Sequence, residues 1–364
     1  MNVVITGGGT AGHIYPALAL ADELTSAGHK VYYAGTKNRT ESKLVPREGY
    51  EFKGFELSGF DRSRPWTALT ALAKMRKCEK EAKKWLVDLD AKLVVGFGGY
   101  VSVPVVREAE KMGIKTAIHE QNSAMGLANE ELSKHADLVC LTYECAGQKV
   151  KDKSKIVVTG NPVRKEVLEA KREDGRRAFG IDEGSLVLLV FGGSLGAKTI
   201  NEAISDLKSE LLNVDTLEII HVAGKRDYDW IKEKLSLTEA EKKRYHLIDY
   251  CYNMPEALAA CDMIVSRAGA TSLAEISALK IPALLIPFPY ATADHQTKNA
   301  KSYVEAGAAY QLSDADVNTD KFKEKLFDLI ENKNTRDEMR KHAESFGTVN
   351  ASANLAQSVL QLLK

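Results

Sequence analysis

Twice in 364 residues the chain runs from a short apolar strand through a glycine-rich turn into a helix pattern, and no other feature limits its fold as much. Val3–Thr6 leads into Gly7-Gly-Gly-Thr-Ala-Gly12-His13 and a helix pattern to about Ala27. Leu186–Phe191 leads into Gly192-Gly-Ser194-Leu-Gly196-Ala and a helix pattern to about Leu212. A first strand, a glycine turn and a helix open a Rossmann-like unit. Further strand patterns lie at Val31–Ala34, Leu93–Val95, Thr116–Ile118, Leu138–Leu141 and Val157–Thr159. After a helical stretch from Arg164 to Phe179 they resume at Glu218–Val222, Met263–Ser266 and Leu284–Ile286. Strands alternating with helices imply parallel sheets covered on both faces, and these are too many for one such sheet. The expectation is an α/β chain of two Rossmann-like domains, residues 1–160 and 161–346, joined near Thr159–Arg164. The final helix pattern, Ala351–Leu363 within residues 347–364, would pack back on the first domain. Open parallel sheets bind ligands at the carboxyl ends of their strands, so two facing domains would share a central cleft.

Composition removes several functions. Lys plus Arg equals Asp plus Glu at 50 each, which argues against nucleic-acid binding over a general basic surface. No apolar run reaches the length of a membrane span, and the expectation is a chain without a secretory leader. Cys78, Cys140, Cys145, Cys251 and Cys261 are odd in number and form no C-x-x-C pair. That pattern points to reduced thiols in a cytoplasm rather than a disulfide framework or zinc site.

The densest chemistry lies between Asp262 and Asn299. Met263–Ser266 turns through Arg267-Ala-Gly-Ala270-Thr271-Ser into a helix with Leu273, Ile276 and Leu279 on one face. Free N–H groups at such a helix start, with the positive end of the helix dipole, form an anion site. Glu275, one turn further, can reach ribose hydroxyls beside a diphosphate. Gln296 and Asn299 share a helix face, and carboxamides suit sugar hydroxyls. Together they read as a nucleotide-sugar pocket. Each has a plainer alternative: Ser272-Leu-Ala-Glu275 fits a capping box, and Asp294 fits an N-cap.

Three motifs point elsewhere. Gly7-x-Gly9-x-x-Gly12 matches a dinucleotide fingerprint, yet the second strand ends Tyr33-Ala-Gly-Thr-Lys37-Asn-Arg39 without the ribose-binding acid. NAD is thereby disfavoured, and NADP survives only through Lys37 and Arg39. Gly192-x-Ser194-x-Gly196 resembles a nucleophile elbow, and His295 downstream keeps a hydrolase in view. A hydrolase leaves the first glycine turn and the Arg267–Asn299 stretch without a role; Ser194 more simply donates to phosphate. Asp88-Leu-Asp90 resembles paired metal-binding carboxylates but sits where acids are ordinary turn residues. No other spacing suggests a metal site.

Gly7–Pro16, Gly96-Phe-Gly-Gly-Tyr100-Val-Ser102, His119-Glu120-Gln-Asn122, Gly160-Asn-Pro-Val-Arg164, Phe191–Ala197, Ser266–Ala270, Glu275 and Gln296-x-x-Asn299 occur in one order. In that order the chain resembles the bacterial peptidoglycan glycosyltransferases that make lipid II. Ala11 and Leu195 depart from the commonest form, at loop positions where the backbone matters most. The resemblance implies the GT-B fold, with an acceptor-binding first half and a donor-binding second half. It implies metal-free, inverting transfer of N-acetylglucosamine (GlcNAc) from UDP-GlcNAc to undecaprenyl-diphospho-N-acetylmuramoyl-pentapeptide (lipid I), without a cofactor. Arg164 and Ile248 would then border the uracil and Glu275 the ribose, while Gln296 and Asn299 read the sugar. Ser194, Ala270 and Thr271 would face the diphosphate. Thr10, Ala11, Gly12 and Asn122 would lie across the cleft, with Tyr100 on the acceptor side. His13, at a helix start where the dipole disfavours an added positive charge, would be the general base, with Glu120 its rival. A UDP-GlcNAc 2-epimerase shares the architecture and is the alternative.

The stretch Phe60–Lys84 separates these two. Arg62, Arg64, Lys74, Arg76, Lys77, Lys80, Lys83 and Lys84 outnumber its acids, and Phe60, Trp66, Leu69, Leu72 and Met75 are interleaved. Such a helix reads as a membrane-surface binder. With a lipid-linked acceptor it would hold the enzyme peripherally on the anionic cytoplasmic face of the membrane, beside cell-wall or division proteins.

Overall fold

Runs of Val, Ile and Leu only a few residues long cannot satisfy their backbone groups alone, and here they pair into two wholly parallel sheets. The computed structural model describes residues 1–57, 67–193, 196–344 and 348–364. Phe60, Arg62, Arg64, Trp66, Ser194 and Leu195, and the side chain of Leu69, lie outside the described residues.

The chain divides into one unit of Met1–Arg164 with Thr348–Lys364 and a second of Lys165–Gly347. The first unit holds β1 (Asn2–Thr6), β2 (Lys30–Thr36), β3 (Glu51–Phe55), β4 (Ala91–Gly96), β5 (Lys115–Glu120), β6 (Leu138–Leu141) and β7 (Ile156–Val158). Their order is β3-β2-β1-β4-β5-β6-β7. The second unit holds β8 (Leu186–Phe191), β9 (Leu217–Val222), β10 (Tyr245–Ile248), β11 (Met263–Ser266), β12 (Ala283–Leu285) and β13 (Ala309–Gln311). Their order, β10-β9-β8-β11-β12-β13, repeats the same winding. In each sheet the order reverses beside the first strand, between β1 and β4 and between β8 and β11. That reversal opens a crevice at the strands' carboxyl ends.

The fully buried faces of the strands carry the cores: Val3, Ile5, Leu93 and Val95 in the first unit, and Leu188, Val190, Ile219 and Val265 in the second. The helix Ala351–Gln361 closes the first unit. Its Leu355, Ala356 and Val359 join the cluster of Ile14, Ala17 and Leu18 from the helix Ala11–Ser26. Ser352 Oγ donates to the Val163 carbonyl at 3.1 Å, tying that helix to the end of the first stretch of this unit.

The expected helix from Arg164 to Phe179 is two, Lys165–Glu169 and Arg172–Phe179, and the one ending near Leu212 breaks at Leu207. Cys78, Cys140, Cys251 and Cys261 are buried free thiols, and burial pushes Cys78 and Cys140 up to about 12. Asp90, in a left-handed turn (φ 48°), pairs with Lys92 at 2.7 Å, next to the start of β4. It sits a strand's length from the crevice of its unit, as a turn residue does.

Candidate active site

In the first unit the crevice is built from two glycine turns pressed together. Gly9, Gly98 and Gly99 have φ of 86°, 95° and 83°, a region costly for side chains. A Cβ on Gly99 would stand 2.5 Å from the Gly8 carbonyl oxygen. Ser102 Oγ ties both strand ends, donating to Thr6 O at 3.1 Å and Gly98 O at 2.7 Å.

Thr10 caps the helix Ala11–Ser26, and His13 stands third within it. Its Nδ1 lies 2.9 Å from the Gly8 carbonyl oxygen. A carbonyl only accepts, so Nδ1 carries the proton and a neutral ring keeps its lone pair on Nε2. Nε2 is turned toward the second glycine turn, where a Cβ on Gly98 would come within 3.3 Å.

Glu120 is buried, and four donors surround its carboxylate. Oε1 accepts from Asn122 N at 3.0 Å and Asn122 Nδ2 at 3.2 Å; Oε2 accepts from Gly126 N at 3.0 Å and Asn129 Nδ2 at 2.8 Å. An acid so engaged holds the loop after β5 in shape. Beside it, burial holds His119 down to about 4; its neutral Nε2–H donates to Gly160 O at 3.0 Å. Tyr100, on the turn after β4, and Leu127, the first residue of the helix Leu127–Leu132, stand 58% and 65% exposed. Leu127 carried no signal in the sequence beyond its apolarity.

Glu41 was missed altogether. It lies past the end of β2, beyond the position where a ribose-binding acid belongs, and folds back fully buried. Its Oε2 accepts from Gly9 N at 3.2 Å and its Oε1 from Thr36 N at 3.0 Å. One main-chain donor of the first glycine turn, the Gly9 N–H, is therefore taken by the protein's own carboxylate rather than left for a dinucleotide phosphate.

In the second unit Gly269 caps the helix Ala270–Ala278, whose internal ladder begins with Leu273 N to Gly269 O at 2.9 Å. The N–H groups of Ala270, Thr271 and Ser272 precede that ladder, at the carboxyl end of β11. Because the cap is Gly269, the capping-box reading of Ser272 and Glu275 falls away. Glu275 is 6% exposed, in the second turn of that helix.

Arg267 locks the crevice wall. Its guanidinium donates to Ile286 O and Pro287 O, each at 3.2 Å, to Thr199 Oγ1 at 3.1 Å, and to the Asp314 carboxylate. Gln296 Oε1 accepts from Ala268 N at 3.2 Å and Phe288 N at 2.9 Å, so its Nε2 holds the donors left for a ligand. Asn299 departs from expectation. It is 0% exposed and donates to Ala268 O at 3.4 Å, so in this structure it holds the turn and offers no surface to a sugar.

Ile248 is the half-buried last residue of β10. Just beyond it Tyr250 and Tyr252 meet edge to face at 4.7 Å, with Lys225 Nζ 5.1 Å and 5.8 Å from their centroids. Neither ring drew notice in the sequence, where the strand before them gave no clear pattern. Arg164 lies over the Tyr15 ring at 4.0 Å within the first unit, so its own surroundings give its expected place beside a uracil no support. The Nδ1 of His295 donates to Thr292 O at 2.8 Å, not to the acid a hydrolase triad requires.

The helix Thr67–Asp88 buries Cys78, Ala82 and Leu86, while no residue from Thr70 to Lys77 is buried and Leu72 is 49% exposed. Lys77 is 64% exposed, 3.8 Å from Glu56 and 3.9 Å from Glu81. Glu56 directly follows β3, so Lys77 stands beside the carboxyl end of that strand.

Residues 3–141 match the glycosyltransferase family 28 N-terminal domain, and residues 187–360 match its C-terminal domain. A Bacillus subtilis protein is 39% identical over 366 residues, spanning 100% of both chains. One from Acetivibrio thermocellus is 37% identical over 366 residues, spanning 100% of this chain and 99% of its own. Each bears the name UDP-N-acetylglucosamine–N-acetylmuramyl-(pentapeptide) pyrophosphoryl-undecaprenol N-acetylglucosamine transferase. Among solved structures, Acinetobacter baumannii MurG superposes with a TM-score of 0.75 at 27% identity, over 99% of each chain. A UDP-GlcNAc 2-epimerase from Neisseria meningitidis gives 0.69 at 17% identity over 99% of this chain and 100% of that one, a likeness of fold alone.

Proposed function

The chain belongs to glycosyltransferase family 28, and from that membership we infer that it moves GlcNAc from UDP-GlcNAc to lipid I, giving lipid II for peptidoglycan. The observation that carries this is end-to-end similarity to transferases of that name, where the epimerases share only the fold. Its two doubly wound units are those of the GT-B architecture.

The finer mechanism is our proposal. The acceptor's sugar hydroxyl attacks the GlcNAc anomeric carbon as the bond to the UDP diphosphate breaks, inverting that centre. His13 Nε2 takes the hydroxyl proton. The N–H groups at the Ala270 helix start, with the dipole behind them, stabilise the leaving diphosphate without a metal. Glu275 binds ribose, Tyr250 and Tyr252 flank the base, and Gln296 Nε2 reads the sugar. Radiolabelled UDP-GlcNAc incubated with a lipid I analogue tests the reaction: label should enter the lipid fraction, and label remaining in water would refute it.

Two further outcomes are expected, one in each unit. In the second unit, Gln296→Glu keeps the oxygen that Ala268 and Phe288 require and removes the amide donors, so it should weaken UDP-GlcNAc but not UDP. Glu275→Ala should weaken both, each loss being worth about 1–3 kcal/mol. Calorimetric titration with UDP and UDP-GlcNAc separates them, and equal UDP affinity in Glu275→Ala and wild type would remove Glu275 from the ribose.

In the first unit, the exposed basic turns Thr70–Lys77 support peripheral attachment to the anionic cytoplasmic leaflet. Each cation near such a surface contributes about 1 kcal/mol, screened by salt. Lys74→Glu with Lys77→Glu should lower sedimentation with anionic vesicles and leave UDP-GlcNAc affinity intact. Equal pelleting with neutral vesicles, insensitive to salt and to both reversals, would make this an ordinary solvated helix. Among the described residues no helix is long and apolar enough to cross a membrane.

A further inference from the structure

One peptide group in the first unit is hydrogen-bonded at both ends by groups that titrate. The Gly8 carbonyl accepts from His13 Nδ1 at 2.9 Å. The N–H of that same peptide, on Gly9, donates to Glu41 Oε2 at 3.2 Å. Glu41 is 0% exposed, and its other oxygen accepts from Thr36 N at 3.0 Å. The chain makes room for it twice. A Cβ on Gly8 would stand 2.3 Å from Glu41 Oε1, and a Cβ on Gly35 would stand 2.7 Å from Glu41 Cγ.

We propose that Glu41 is a positioning residue for the transfer reaction, acting on His13 through the Gly8–Gly9 peptide. This rests on His13 being the base. A carboxylate on the N–H polarises the peptide and makes its carbonyl a stronger acceptor for Nδ1–H. The imidazole is thereby fixed in the tautomer with Nε2 open, and its protonated form is stabilised as it develops. The logic is that of a carboxylate behind a catalytic histidine, with one amide inserted between them.

Other groups surround this chain of bonds. Tyr33 donates to Gly7 O at 3.1 Å, and burial together with the charge of Glu41 pushes its hydroxyl upward, so it stays neutral. Glu120 is linked through Asn129 Nδ2, which a Cβ on Gly98 would approach at 3.6 Å. Arg164 lies over Tyr15, two positions beyond His13, and His119 is held neutral by burial. When Glu41 alone is changed Tyr33 loses that charge but stays buried, and the other contacts named do not involve Glu41.

The test is Glu41→Gln in the full-length protein, isosteric and uncharged. The kcat–pH profile is measured with UDP-GlcNAc and a lipid I analogue, and His13 is followed by NMR of histidine-labelled enzyme. Without the carboxylate the imidazolium loses a stabilising charge, so the ring protonates only at lower pH. The acid limb of kcat and the His13 titration midpoint should both move to lower pH. Plateau kcat should fall about tenfold, short of the 10²–10⁴ a whole base is worth, with KM for UDP-GlcNAc unchanged. Glu41→Asp, which keeps the charge, should bring the midpoint back toward wild type. In the wild-type protein the Gly9 amide resonance should follow the titration of His13, and this measurement decides the matter even if Glu41→Gln does not fold. Loss of kcat in Glu41→Gln with neither limb nor midpoint displaced would make Glu41 a structural anchor only, and a Gly9 amide blind to His13 would overturn the relay. Full turnover in His13→Ala would instead remove the base itself, a separate result from either.

Discussion

His13→Ala should lower kcat by about 10²–10⁴-fold and leave the KM for UDP-GlcNAc close to wild type. The ring's Nδ1 is spent on the Gly8 carbonyl, so its chemistry lies at Nε2, beside the turn that carries Gly98. Its plainer role is to brace the first glycine turn. His13→Asn separates the two, since an amide can still donate to Gly8 O but cannot serve as a base at neutral pH. Equal losses in the alanine and asparagine variants support proton abstraction. Rescue by asparagine would assign His13 to bracing, and the base would have to be sought elsewhere.

Arg267→Ala should cost the second unit about 3 kcal/mol, the scale for stripping one partner from a buried ion pair. Arg267 and Asp314 have side chains only 11% and 19% exposed. The guanidinium also donates to the Ile286 and Pro287 carbonyls and to Thr199 Oγ1; an alanine takes that donor from both carbonyls and leaves Thr199 only its bond to Asp314. For a unit of this size that loss lowers the melting temperature by about 6–12 °C, and UDP-GlcNAc affinity should fall with the loosened turn. Arg267→Lys should recover little of it, because one ammonium cannot reach the acceptors on the loop after β12, at Asp314 and on the Thr199 helix together. Calorimetry settles the point: an unchanged melting temperature would mean that these bonds add nothing.

How far the fold was legible in the sequence depends on how each strand is buried. Central strands such as β1, β4, β8 and β11 are covered on both faces and appear as unbroken Val, Ile and Leu runs. The three strands with no clear signal, β3, β10 and β13, all lie at sheet edges. There one side meets other surroundings, and Glu51, Lys53, His246 and Gln311 interrupt the apolar pattern. The helix breaks at Ala170–Lys171 and Leu207 left no mark, because tertiary packing sets them; a Cβ on Gly175 would stand 2.3 Å from Glu256 O.

The site divides in the same way. Main-chain donors at a glycine turn, and a histidine one turn into the next helix, arise from local spacing and were readable. Which side chains those donors already serve was not. Glu41 reaches Gly9 across 32 positions, and Asn299 reaches Ala268 across 31. Local pattern reports what a residue can bond; only the fold reports what it has bonded.

The return of the helix Ala351–Gln361 to the first unit governs the order in which the protein can be made. Lys165–Gly347 is one continuous stretch and needs no segment from beyond its own ends to complete its core. The unit that begins at Met1 does. The face formed by Ile14, Ala17 and Leu18 stays open until Leu355, Ala356 and Val359 emerge. The half synthesised first therefore cannot be finished until a segment from beyond the second unit has joined it.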